Sequence, residues 1–187
     1  MGGFKKKIVE ITLEKLEELG SQTKDRFVKM LITKLKKDIK LNKRNDFYEQ
    51  LDFQRVLNLI KREKNREILS RALVGLGDNK VFVLKISKGK DVYSYDVLGY
   101  RKLDWLSSLI QREFDLEPCH LYDFEIGKYK FGPECDEWQE IFDWLDNFRI
   151  DAAINAAGLK KGDKIKFRYD FGEDIMFKIK IEEIKDE

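Results

Sequence analysis

One histidine, two cysteines and a short run of carboxylates are the residues in this chain whose chemistry could go beyond packing. His120 is the single histidine, so a site built on two imidazoles is excluded. It adjoins Cys119, and Cys135 follows fifteen residues after it. Neighbouring residues of an extended strand point to opposite faces, so Cys119 and His120 would chelate one ion poorly. The sequence therefore predicts no metal and no cofactor, and gives His120 the task of fixing the turn after Pro118 by a hydrogen bond. Asp170, Glu173 and Asp174 flank Phe171-Gly172. Paired carboxylates do acid–base work when their surroundings push their pKa values apart, and nothing in the flanking sequence supplies such surroundings. Asp-Phe-Gly also occurs in protein kinases, but a kinase needs a glycine-rich loop and a His-Arg-Asp loop as well. Here Gly75-Leu76-Gly77 lacks the third glycine and His120 is followed by Leu121. Asp170 to Asp174 reads instead as a hairpin turn, with Gly172 expected at positive φ. No nucleophile elbow, Walker or Rossmann glycine motif is present. No catalytic residue is assigned, and the reading leans against an enzyme. His120, Tyr122, Asp170, Glu173 and Asp174 stand as candidates for a partner or ligand surface.

Charge supplies a second kind of site. The net charge of +2 hides an asymmetry: residues 1–75 carry 19 Lys and Arg against 11 Asp and Glu, and residues 76–187 carry 18 against 24. Lys36, Lys37, Lys40, Lys43 and Arg44 gather within nine positions. Clustered cations on helices neutralise phosphates, which makes these five the nucleic-acid candidates. Trp138, Phe142, Trp144 and Phe148 interleave with Glu140, Asp143 and Asp146, a pattern of core packing with a remaining partner-binding reading.

The elements that must position these groups change character along the chain. Thr12 can cap a first helix that Gly20 ends, and Phe27, Val28, Leu31, Ile32, Leu35 and Ile39 form one apolar stripe of a second. A polar break over 41–46 precedes two further helical stretches, around Leu51–Ile60 and Ile68–Leu73, with Asp46 and Glu49 resembling a capping box. After Gly77 the pattern alternates. Val81–Ile86 and Val92–Leu98 surround a glycine turn, as do Tyr122–Ile126 and Tyr129–Phe131. Leu103–Phe114 and Asp151–Ala157 have helical spacing, Trp138–Phe148 is a further helical candidate, and Ile165–Tyr169 and Phe177–Ile181 alternate at the end. The expected fold is α+β: a small N-terminal helical bundle, residues 1–77, then an α+β domain, residues 78–187, with a mostly antiparallel sheet and helices on one face. No apolar run approaches the ~20 residues of a membrane span, and the basic start lacks a signal-peptide core. With two cysteines too few for a disulfide scaffold, the expected location is the cytoplasm.

Two stretches carry a family resemblance. A Leu-rich helix ending at Phe114 leads to His120-Leu121-Tyr122-Asp123-Phe124. Gly162-Asp163-Lys164 leads to Phe167-Arg168-Tyr169-Asp170-Phe171-Gly172, closed by Ile181-Glu182. In that order and spacing residues 80–187 resemble the plasmid pRiA4b ORF-3-like family, as a divergent member. The family's Trp-Arg-Arg on the second strand is replaced by about Val92-Tyr93-Ser94, and its Trp and His after Asp-Phe-Gly-Asp by Ile175 and Phe177. The resemblance implies the fold and an association with plasmids and mobile elements. It implies no activity. The functional expectation is a non-enzymatic binding or adaptor module with an unknown protein partner. The alternative is a nucleic-acid-binding accessory protein that uses the basic helices, and the third reading is an enzyme built on the Asp170–Asp174 turn.

Overall fold

The structure, a computed structural model, describes residues 11–41, 46–74, 76–77, 80–133 and 142–186, the side chains of residues 46, 47 and 49 aside. Thr12 Oγ1 accepts the Lys15 N–H and opens α1 (Leu13–Ser21). Gly20 lies inside this helix; the stop comes later, where the Gln22 N–H bonds the Leu19 carbonyl. The Asp25 carboxylate accepts the N–H groups of Phe27 and Val28 and opens α2 (Arg26–Lys40). Its buried stripe, Val28, Leu31, Ile32 and Leu35, forms one core with Leu16 and Leu19 of α1 and with Phe53, Val56 and Ile60. Those last three lie on α3 (Asp46–Ala72), one helix of 27 residues where the sequence suggests two. No glycine or proline interrupts residues 51–72, so the polar run Lys61–Glu67 continues the helix as solvated turns. The chain divides into two compact units, residues 1–64 and 65–187, so the division falls within α3.

The second unit is built on a seven-stranded sheet in the order β2-β1-β7-β6-β3-β4-β5. Its strands are β1 (Lys80–Lys88), β2 (Asp91–Leu98), β3 (Tyr122–Ile126), β4 (Tyr129–Gly132), β5 (Trp144–Leu145), β6 (Lys164–Tyr169) and β7 (Ile175–Asp186). Every described pairing is antiparallel except β4 with β5. The two expected glycine turns are there: Gly89 and Gly127 both adopt the left-handed conformation that tight hairpins need. The helices are α4 (Leu103–Glu113) and α5 (Ile150–Ala157). Register places Leu84 opposite Ile181, Ile86 opposite Ile179, Phe167 opposite Phe177 and Phe124 opposite Phe131. These residues share one core with Leu106 and Ile110 of α4 and Ala153 and Ile154 of α5. One face of the sheet is therefore covered by helices, and the alternate residues form the other face. The protein is α+β as its pattern predicts.

Residues 144–145 are a strand where helical spacing suggests a helix. The reason is tertiary. The backbone of β4 is open on that side, and it takes the Asp143 N–H on the Lys130 carbonyl and the Asp146 N–H on the Gly132 carbonyl, each at 2.8 Å. Gly132 makes room for this, since a Cβ there would stand 2.2 Å from the Phe142 ring. Phe142 and Phe148 are buried, which makes this aromatic run part of the core; Trp138 lies outside the described residues.

Candidate functional site

Two loops meet at one end of the sheet. The first, residues 114–121, links α4 to β3 and turns at Asp115, whose φ is +51°. The second, residues 170–174, links β6 to β7. Asp170 and Asp174 take the left-handed conformation there, at φ +51° and +53°, and Gly172 does not. The expectation of positive φ at Gly172 is thus corrected. Asp is among the few side chains that tolerate this region, because its short carboxylate bonds the local backbone. Here Asp170 Oδ1 accepts the N–H groups of Gly172 at 2.9 Å and Glu173 at 3.3 Å. The Asp170 N–H donates to the Leu121 carbonyl at 2.9 Å, tying the two loops together.

The remaining carboxylate oxygen, Asp170 Oδ2, lies 3.3 Å from His120 Nδ1. On the other side of the ring, Nε2 lies 3.7 Å from Glu117 Oε2. Cys119 Sγ is 3.9 Å from the same Glu117 oxygen. The Tyr169 ring stands edge-on to His120 at 5.7 Å between centroids. Tyr169 is only 2% exposed, and its hydroxyl has no hydrogen-bond partner among the described residues. Burial raises its pKa, and the nearby Cys119, Asp170 and Glu117 add to that rise, while the His120 backbone opposes it.

The structure brings the His120 and Asp170 side chains together, and the side chains of the other three sequence candidates make their contacts elsewhere. Tyr122 donates its hydroxyl to Asp146 Oδ2 at 2.5 Å; burial first, then that carboxylate, raises its pKa. Glu173 and Asp174 touch Asp170 through their backbone N–H groups alone, at 3.3 Å and 2.7 Å; the Asp174 carboxylate points to Arg168, at 3.9 Å, and Glu173 is exposed. Glu117 was not among the candidates. The premise that set Cys119 and His120 apart is also corrected: they lie in a turn ahead of β3, not on a strand, so strand alternation does not apply. Pro118, which ends extended pairing, is the signal for that turn.

The face of the sheet away from the helices is basic. Lys85 of β1 stands opposite Lys180 of β7, and Lys180 stands opposite Lys164 of β6. One step along, Lys178 faces Lys166. Lys85, Lys164 and Lys178 are exposed and make no ion pair among the described residues, whereas Lys166 pairs with Glu125 and Lys180 with Glu182, each at 3.0 Å. Lys180 holds the Glu182 carboxyl below the usual range, and Lys85 and Lys161 act in the same direction. The spacing Lys164-Ile-Lys166 and Lys178-Ile-Lys180 carried this signal in the sequence, since residues two apart share a strand face. In the helical unit, Lys36 lies 3.6 Å from Glu17, and Lys37 and Lys40 occupy the last turn of α2, where the helix dipole favours cations. Lys43 and Arg44 lie outside the described residues.

Residues 94–187 match the family described as "Plasmid pRiA4b ORF-3-like protein". Among solved structures, the crystal structure of a protein of unknown function, MM3350 from Methanosarcina mazei Go1, is similar at 22% identity with a TM-score of 0.47. That similarity covers 59% of this chain and 64% of the other, less than two-thirds of the archaeal protein's length. No curated protein matches the chain. No described helix is long and apolar enough to cross a membrane.

Proposed function

The chain belongs to the plasmid pRiA4b ORF-3-like family, and we propose that it is a non-enzymatic binding module whose basic sheet face holds the phosphate backbone of a nucleic acid. The observation that carries this reading is the row Lys85, Lys180, Lys164 across three adjacent strands. Like charges directly opposite in a sheet cost stability, roughly 0.2–1 kcal/mol per pair, and Glu182, which pairs with Lys180, offsets only part of that for three lysines in a row. A polyphosphate turns that cost into binding energy through counterion release. The residues of β1, β6 and β7 on this face, among them Val83, Lys85, Lys166, Arg168, Met176 and Lys178, include no aromatic. Base stacking is therefore not offered, and recognition is of the backbone rather than of sequence. The plasmid in the family's description supports the association with mobile elements, and the free thiol of Cys119 supports a reducing, cytoplasmic setting.

The test is a fluorescence-anisotropy titration with duplex DNA at several salt concentrations. The log–log salt slope is about −0.9 per phosphate contact, so replacing Lys85, Lys164, Lys178 and Lys180 by Gln flattens it by up to about 3.6. Replacing Lys36, Lys37 and Lys40 by Gln leaves it nearly unchanged. If only the helix variant flattens the slope, the phosphates lie on α2 and the sheet-face reading is overturned. If the wild type shows no binding at low salt with tens of micromolar protein, roughly the range of weak non-specific binders, nucleic acid is excluded.

A further inference from the structure

We propose that Glu117, Cys119 and His120 form a binding site for one zinc-like divalent ion, with Asp170 orienting the histidine and the buried Tyr169 packed against its ring. One ligand atom from each of the three residues lies within 4.8 Å of the other two. His120 Nε2 lies 3.7 Å and Cys119 Sγ 3.9 Å from the same Glu117 Oε2. Tetrahedral zinc with bonds of about 2.0–2.3 Å sets its ligands roughly 3.3–3.8 Å apart, so the two Glu117 separations already match and the Cys119–His120 pair closes by at most about 1.5 Å, within reach of exposed side-chain rotation. One sulfur, one imidazole nitrogen and one carboxylate oxygen make a donor set of borderline softness, which selects zinc over magnesium or calcium.

Two features beyond the three donors point to a ligand. Metal-binding histidines as a rule give their second ring N–H to a carboxylate, which fixes the tautomer and the ring plane. Asp170 Oδ2 stands 3.3 Å from His120 Nδ1 and is only 17% exposed by its side chain. Its other oxygen is held by the Gly172 and Glu173 N–H groups, so the carboxylate is fixed before any ion arrives. The second feature is Tyr169, 2% exposed and edge-on to His120, whose buried hydroxyl lies by the His120 backbone without meeting any partner at full hydrogen-bond geometry. A buried hydroxyl without a partner costs about 1–3 kcal/mol. Three protein ligands leave zinc a fourth position for water, and a water there can donate to the Tyr169 hydroxyl oxygen. Binding takes Cys119 as its thiolate and releases the thiol proton to solvent.

The experiment uses the full chain, stripped with a chelator and titrated with Co²⁺ as a spectroscopic stand-in and with Zn²⁺ by competition against a chromophoric chelator. One equivalent binds, with a thiolate-to-cobalt charge-transfer band and the intense visible absorption of a tetrahedral site. Cys119→Ser abolishes the charge-transfer band, and Cys135→Ser keeps it. Asp170→Asn weakens zinc binding about 10- to 100-fold, the usual effect of losing a carboxylate behind a ligating histidine. Because Asp170 also braces its turn, circular dichroism accompanies that variant, and Glu117→Gln, an exposed change, provides the same loss of affinity without touching the turn. No binding at roughly tens of micromolar Co²⁺, a charge-transfer band that survives Cys119→Ser, or full affinity in Glu117→Gln each overturns the site.

Discussion

Reversing the charge of Lys164 tests whether the basic face is held at a cost. Lys164 sits at the start of β6, exposed, opposite Lys180 and without an ion pair among the described residues. Directly opposed side chains lie about 5 Å apart, and two unit charges at that distance in water interact by about 0.8 kcal/mol. Turning repulsion into attraction changes the pair energy by about 1.6 kcal/mol, and salt near 0.15 M, with a Debye length of about 8 Å, removes roughly half. Glu182, paired with Lys180, already offsets part of this repulsion, so Lys164→Glu stabilises the sheet unit by up to about 1 kcal/mol, and Lys164→Gln by about half of that. All three tryptophans, Trp105, Trp138 and Trp144, lie in residues 65–187, so their fluorescence reports this unit in a urea titration. With an m-value of about 2 kcal/mol/M, Lys164→Glu moves the midpoint up by as much as roughly 0.5 M. The gain shrinks in high salt, and DNA affinity falls in the same variant. An order of stability with wild type highest and Lys164→Glu lowest refutes the claim that these lysines repel one another.

Two further outcomes follow from the core and from the phenols. Leu69 is fully buried in the sheet core, so Leu69→Ala costs about 2–5 kcal/mol. For the same reason a fragment of residues 65–187 resists urea better than one of residues 78–187, which lacks Leu69 and the Asn65 bond to Asp143 at 2.9 Å; equal midpoints refute that account. Tyr95 is pushed up to about 12 by burial, aided by Glu113, and burial also raises Tyr122. Unfolded phenols ionise near pH 10, so the unfolded state loses protons first and this stability, full below about pH 10, falls as pH rises towards about 12. Tyr122→Phe makes the fall shallower, and a wild-type midpoint constant across that window refutes the assignment.

The fold was legible because alternation and helical spacing are local signals that the core then uses. Phe82, Leu84 and Ile86, or Ile165, Phe167 and Tyr169, are apolar at every second position, and each of them is buried. The errors fall where local spacing had a competitor. Residues 144–145 follow the hydrogen-bonding needs of β4, a demand made by distant chain. The long α3 hides in a polar run, because Lys61–Glu67 reads as a break to hydrophobicity and as a helix to backbone propensity.

The site was half legible, and the missing half is a matter of backbone. His120 and Asp170 stand fifty positions apart, and no spacing rule joins them. What joins them is that β3 and β6 are neighbours in register, with Tyr122 opposite Tyr169, so the residues just outside each strand end at the same edge. Asp115 and Asp170 then bend both loops through the left-handed region, and the turn at Pro118–Cys119 puts His120 and Cys119 beside the same Glu117 oxygen. A reading by strand alternation separates Cys119 from His120 because it continues β3 three residues too far. The sequence held one contrary sign, a proline two places before the histidine, and that proline bears directly on whether these side chains can act on a common ion.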